Sequence, residues 1–173
     1  MKRSSILLFA LASLLALSGT LWGQAELLYQ KPPEIQGKTW FNTKKALTLK
    51  KLKRKKKVVI IEFMITTCPH CVPVVPRMKE IHEKYSKEDV VLIAITHEDA
   101  KKVAAWVKKE NIPYPVLSDP DTKSADAYSN RIAPYIYIIA KNGLVCWQNS
   151  AQALDDDELD IAFAGARATK KKK

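Results

Sequence analysis

The stretch Ile60-Ile61-Glu62-Phe63-Met64-Ile65-Thr66-Thr67-Cys68-Pro69-His70-Cys71 decides how this chain is read. It is an apolar run with one carboxylate, then two cysteines separated by Pro69 and His70, then a helical pattern. Thiols at this spacing can close a disulfide within one turn. If a strand feeds a helix here, Cys68 falls at the helix N-terminus, where aligned peptide dipoles and free N–H groups favour a thiolate. A thiolate is the nucleophile of thiol–disulfide exchange, and a second cysteine within reach resolves the mixed disulfide. The stretch predicts a redox-active pair, Cys68 and Cys71.

Glu62 interrupts an otherwise continuous apolar strand, Val58 to Met64. A buried carboxylate costs free energy unless paired or protonated, so its pKa is expected to rise. Six residues before the first cysteine, it is placed to lie under the pair and to shuttle a proton to or from Cys71. His70 can donate to the Cys68 thiolate or put positive charge beside it, lowering its pKa. A stabilised thiolate favours the reduced form and makes the disulfide more oxidising.

Half of a zinc site looks the same, but the other half is missing. Cys146 is isolated, and His82 and His97 are 15 positions apart. No structural metal is expected. Two thiolates can also hold a soft ion such as Cu(I), so a metal-binding chaperone is the rival from another class. A thiol peroxidase is a further enzyme reading, although peroxide-reactive families place their cysteine in a different environment.

The chain has 173 residues, enough for one domain with a proper core. No Gly-x-Gly-x-x-Gly or P-loop arrangement is present among the five glycines, so nothing supports a nucleotide site. Lys2 and Arg3 precede an apolar run from Ile6 to Leu17, the pattern of a secretory signal over residues 1–25. Cleavage is expected after Ala25, with cleavage after Gly23 or an uncleaved anchor as alternatives. Either way the protein is read as exported, periplasmic or extracytoplasmic, where disulfides persist. The formal net charge is +11, and nine of the fourteen residues from 44 to 57 are Lys or Arg. This stretch reads as a solvated basic loop, with weak attraction to an anionic membrane surface as the next reading and no nucleic-acid role.

Residues 26–57 form an extended entry segment and the basic loop, with a short peripheral strand at 39–42 and a brief packed turn at Leu47, Leu49 and Leu52. A domain follows over 58–168, ahead of a lysine tail at 169–173. Pro69 to Tyr85 reads as a helix with Val74, Met78, Ile81 and Tyr85 inward and Pro76 kinking it. Val90 to Ile95 is a second strand. Thr96-His97-Glu98-Asp99 resembles a capping box opening a helix to Asn111. His97 is a surface or capping residue, and His82 lies on the polar side of its helix with no chemistry assigned. A short strand at 112–117, a turn at 118–121 and a short helix at 122–130 come next. Strands at 134–140 and 144–147 flank Lys141-Asn142-Gly143, a hairpin signal, and a helix over 155–168 closes the chain. Cys146 is expected as a small, partly buried strand residue. The order predicts an α/β fold: a central mixed sheet with helices on both faces, built from a parallel βαβ unit plus a C-terminal antiparallel hairpin and helix.

From about Pro33 to Ala168 the chain resembles the thioredoxin superfamily. Glu62 stands where that family places its buried acid, Cys68 matches its exposed nucleophile and Cys71 its resolving thiol. Pro76, five residues after Cys71, matches the helix-kinking proline. Ala133-Pro134 matches the cis-proline loop that lies against the disulfide and receives substrate backbone. The layout is similar to the exported TlpA/ResA-like redoxins, whereas Cys-Pro-His-Cys resembles the active site of DsbA-type oxidases. Met64 and Thr67 stand where thioredoxins usually carry tryptophan. The resemblance implies a thioredoxin fold and an exported thiol–disulfide oxidoreductase that exchanges electrons with protein thiols and disulfides. It implies a membrane redox partner and no diffusible cofactor. Cys68, Cys71, Glu62 and His70 would be catalytic, and Pro69, Ala133 and Pro134 would contact substrate. The scaffold favours the reductase direction and the dipeptide the oxidase direction.

Overall fold

The computed structural model describes residues 26–167, so the expected signal at 1–25 and the lysine tail lie outside the described residues. The strands are β1 (Thr39–Phe41), β2 (Val58–Phe63), β3 (Val90–Thr96), β4 (Val116–Ser118), β5 (Tyr135–Ile139) and β6 (Val145–Ser150). The helices are α1 (Leu49–Arg54), α2 (Val75–Tyr85), α3 (Ala100–Lys109), α4 (Lys123–Ala127) and α5 (Asp156–Arg167), with 3₁₀ turns at Val72–Val74 and Ala151–Ala153. One sheet runs in the order β1-β4-β3-β2-β5-β6. β2, β3 and β4 are parallel, while β1, β5 and β6 pair antiparallel with their neighbours. This is the expected mixed sheet.

β2 is buried at all six positions because helices cover both faces of the sheet. Val58 and Ile60 enter one core with Met78 of α2, Val103 of α3 and Phe163 of α5. Val59, Ile61 and Phe63 enter the other with Leu52 of α1 and Tyr128 beyond α4. Each large apolar side chain buried this way contributes roughly 1.5–3 kcal/mol relative to exposure. Glu62 alternates with Ile61 and Phe63, so it points into the core beneath α2.

Several local expectations shift. Residues 49–54 form a short helix rather than a packed turn, because Thr48 Oγ1 accepts from Lys51 N–H and the Glu34 carboxylate accepts from the N–H groups of Leu49 and Lys50. The helix expected from Pro69 is divided. Residues 72–74 are 3₁₀ and α2 begins at Val75, which places Pro76 in its first turn, where the missing N–H costs nothing, rather than at an interior kink. Asp99, not Thr96, caps α3, accepting from Lys101 and Lys102 N–H at 3.0 Å each. Thr96 stays in β3 because it continues the pairing with β4 opposite Ser118. Gly143, at φ 83°, supplies the left-handed turn between β5 and β6, and a Cβ there would collide with the Lys53 side chain.

Candidate active site

β2 and β3 end side by side, and Met64 N–H donates to Ile95 C=O at 2.9 Å, carrying the pairing one step past β2. The chain then turns tightly. Cys68 N–H donates to Ile65 C=O, and the Cys68 carbonyl accepts from Cys71 N–H (3.0 Å) and Val72 N–H (3.1 Å). Cys68 therefore opens a turn that feeds the 3₁₀ segment and then α2. Pro73 and Pro76 lack the donors a continuous α-helix from Pro69 would need there, which explains the division.

The two cysteines are free thiols in unlike surroundings. Cys68 is half-buried, with its Sγ 3.8 Å from the Ala133 carbonyl oxygen. Desolvation pushes its pKa up, but hydrogen bonds from the Cys71 side chain and from the His70 and Cys71 backbone N–H groups together outweigh this and hold it below the ordinary thiol range. Cys71 is buried, and Ile65 N–H donates to its Sγ at 3.5 Å. Burial, opposed by that N–H and then reinforced by Cys68 and Glu62, pushes its pKa up to about 12. One turn thus holds an acidic outer thiol and a reluctant inner one.

Glu62 is 2% exposed, and its cross-strand neighbours are Ala94 and Ile136, neither of which offers a side-chain donor. Burial raises its pKa to about 8, so both of its protonation states are accessible near neutral pH. Its charge is felt at Cys71.

The Ala133–Pro134 peptide is cis, and the Pro134 carbonyl accepts from Ala151 N–H at 3.2 Å. Pro69 and His70 are exposed. The His70 carbonyl accepts from Gln152 Nε2 at 3.0 Å, tying the dipeptide to the segment after β6. The exposed side chains of Val72 and Ile132 flank the pair. A cavity of about 470 Å³ opens beside it, lined by Met64, Ile65, His97, Arg131, Ile132 and Ala133. The structure therefore gathers Cys68, Cys71, Glu62, Ala133 and Pro134 at one end of the sheet, with Pro69 and His70 at the rim.

Sequence reading passed over two groups here. Glu98, 8% exposed, accepts from Thr66 N–H (2.7 Å), Thr66 Oγ1 (2.9 Å) and Thr96 Oγ1 (3.0 Å), and pairs with Lys102 Nζ at 2.6 Å. It anchors the loop that delivers Cys68. The second is Tyr114, fully buried on the Glu62 side of the sheet. A Thr-x-Glu spacing beside a second acidic residue signals Glu98 only ambiguously, and nothing local signals Tyr114. His82, expected on the polar side of its helix, is half-buried, with its ring centre 5.9 Å from that of Tyr114 in an edge-on arrangement. Burial lowers its pKa. His97 is exposed, and Cys146 is half-buried in β6, with its thiol pushed up to about 11 by burial.

The family model described as AhpC/TSA family matches residues 29–148, well over half of the chain. The chain belongs to that family. The thiol-disulfide oxidoreductase ResA of Bacillus cereus is 33% identical over 102 residues, covering 58% of this chain and 58% of ResA. The match thus spans little more than half the length of that relative. The thiol-disulfide oxidoreductase YkuV of Bacillus subtilis is 28% identical over 122 residues, covering 67% of this chain and 80% of YkuV. The solved thioredoxin-like superfamily protein SPOA0173 superposes with a TM-score of 0.71 at 25% identity, covering 79% of this chain and 95% of that one. The fold of this AhpC/TSA member is thioredoxin-like.

Proposed function

We propose that this protein is an exported thiol–disulfide oxidoreductase acting on protein thiols and disulfides. The observation that carries the reading is the split in acidity across one turn, with Cys68 pulled below the ordinary thiol range and Cys71 pushed to about 12 beside a protonatable Glu62. In the reducing direction the Cys68 thiolate attacks a substrate disulfide. A Cys68–substrate S–S bond forms, the substrate S–S bond breaks, and the departing sulfur takes a proton. The mixed disulfide removes the Cys68 thiolate and its hydrogen bond, two of the influences that hold Cys71 up. Cys71 then gives its proton to the Glu62 carboxylate and attacks Cys68 Sγ. The Cys68–Cys71 disulfide forms, the second substrate sulfur leaves, and two electrons have passed to substrate. The reverse sequence donates the disulfide.

The Ala133 carbonyl beside Cys68 supports substrate backbone docking at Ala133–Pro134, with Pro69 at the rim. His70 already contributes its backbone N–H to Cys68, and its exposed imidazole is the further tuning group. The named relatives support the activity. The N-terminal apolar run supports export, and no helix of the described residues is long and apolar enough to cross a membrane. A membrane redox partner and weak contact of the 44–57 lysines with anionic lipid complete the proposal.

The test is the reduction potential of the Cys68–Cys71 pair against a glutathione series. A two-electron transition is expected. A value well above thioredoxin's, about −270 mV, assigns the oxidase direction, and a value at or below it the reductase direction. No two-electron transition would overturn the redox reading and leave binding of Cu(I) by the reduced pair as the reading to measure.

A further inference from the structure

Among the described residues only two buried side-chain polar atoms lack a hydrogen-bond partner, and one is the Tyr114 hydroxyl. An orphaned buried hydroxyl is destabilising, and a phenylalanine would fill the same space without that cost. Tyr114 is 0% exposed, its carbonyl is gripped by Asn42 Nδ2 at 3.1 Å, and its ring edge meets His82. The side chain is therefore well placed, with one donor unused.

The sheet register puts a second buried polar group on the same face. Glu62 of β2 lies opposite Ala94 of β3, and Ala94 lies opposite Val116 of β4. Tyr114 sits two residues before Val116 and belongs to the same core face as Ile60, Ala94 and Val116. Ala94 and Val116 fill the Glu62 lane, and Tyr114 stands one step before Val116 on the same face. The carboxyl group without a cross-strand donor and the hydroxyl without an acceptor thus share one face of the sheet.

We propose that Tyr114 is a positioning residue whose hydroxyl donates to the Glu62 carboxylate, directly or through one water, whenever Glu62 gives up its proton. This rests on the reading of Glu62 as the proton carrier for Cys71. Burial and the charge of Glu62 hold the Tyr114 hydroxyl protonated far above its ordinary range, so it is always a donor and never a competing base. Among the described residues, the titratable groups packed on this core face are Cys68, Cys71, His82, Tyr85 and Cys146. β3 and β5 present apolar side chains to Glu62, and α3 turns Val103 and Trp106 inward with its lysines outward. Tyr114 can then favour the ionised carboxylate without giving up its own proton.

The test uses the full chain in single-turnover reaction with a small aromatic disulfide, following release of the second equivalent from about pH 5.5 to 9.5. The wild type should show a rising limb set by Glu62, and Glu62→Gln should lose that limb. Tyr114→Phe should move its midpoint up by about one pH unit, so that the rate is about tenfold lower on the acid side and equal on the alkaline plateau. A Tyr114→Phe profile that overlays the wild type, or falls by one factor at every pH, overturns the proposal while the Glu62 reading stands. A Glu62→Gln profile identical to the wild type overturns both. If Tyr114→Phe does not fold, the assigned Tyr114 ring carbon bearing the hydroxyl is followed by NMR in the wild type and in Glu62→Gln. Its shift should titrate together with the Glu62 carboxyl carbon and stay flat in Glu62→Gln. A flat line in the wild type overturns the proposal.

Discussion

Two glutamates are buried at the same end of the sheet and are held in opposite states. Glu62 has apolar cross-strand neighbours, and burial lifts its pKa to about 8. Burial pushes Glu98 up as well, but Lys102, the Thr66 N–H and the Thr66 and Thr96 hydroxyls outweigh it and hold Glu98 below the ordinary carboxylate range. Burial alone does not decide what a carboxyl group does. The donors around it do. With donors it is a strut for the loop carrying Cys68, and without them it is a store for a proton next to Cys71.

The sharpest way to break this contrast is Glu62→Gln, which keeps the volume and removes the ionisable proton. The second step of exchange should slow by about 100-fold near neutral pH, the low end for a lost general base, while the Cys68-led first step changes little. Single-turnover kinetics with both thiols followed separately would show it. An equal loss in both steps would mean that Glu62 shapes the site rather than moving a proton.

Glu98→Ala should act on stability instead. It strands the Thr66 N–H and two hydroxyls in a buried place and frees Lys102 to solvent, a loss of about 2–4 kcal/mol. Glu98→Gln should cost about half as much. Chemical denaturation measures both, and a Glu98→Ala protein as stable as the wild type would show that the loop does not depend on this anchor.

The pH dependence separates the pair by sign. Glu62 has a folded pKa above its ordinary 4.5, so its contribution to stability is full below about 4.5 and is lost as pH rises toward about 8. Glu98 has a folded pKa below 4.5, so its contribution is present above about 4.5 and is lost as pH falls through the folded value. Relative to wild type, Glu62→Gln should therefore gain stability between about pH 5 and 8, by a few kcal/mol at most. Glu98→Gln should lose most above about pH 5 and converge with wild type in acid. Denaturation midpoints at a series of pH values test this, and parallel curves for Glu62→Gln would contradict its raised pKa.

The same pair shows what a sequence can and cannot disclose. Glu62 was legible because it breaks a run of apolar residues six positions before Cys68, a purely local signal. The mixed sheet was legible for a similar reason, since β2 and β3 are too apolar to sit anywhere but the centre. Glu98 was not, because Thr96-His97-Glu98-Asp99 offers two acidic residues and two candidate caps. Which one caps α3 depends on β4, whose pairing keeps Thr96 in β3 and turns Glu98 toward Thr66. Tyr114 was invisible because its meaning comes from the register of three strands. The sequence predicts an interior kink at Pro76, and the helix starts one residue before it. Element centres follow from composition, whereas boundaries follow from which neighbour supplies the hydrogen bond.

The other end of the sheet supplies the smallest effect and the cleanest control. There α1 buries Leu49 and Leu52 and turns Lys50, Lys51, Lys53 and Arg54 outward, while Lys53 packs on the Gly143 hairpin turn at the end opposite Cys68. Among the described residues, the charges of Lys51, Lys55 and Lys56 have no acidic partner, so neutralising them removes no ion pair. Replacing these three with Gln should change stability by less than about 0.5 kcal/mol and leave dithiol exchange with a small disulfide unaltered. Binding to vesicles containing phosphatidylglycerol should weaken at low salt, by up to about 1 kcal/mol for each charge removed, and the difference should fade as salt is raised. A fall in exchange rate would join the two ends of the sheet energetically. Unchanged vesicle binding would leave the lysines as a solvated face, with the chemistry confined to the end where Glu62 and Glu98 differ.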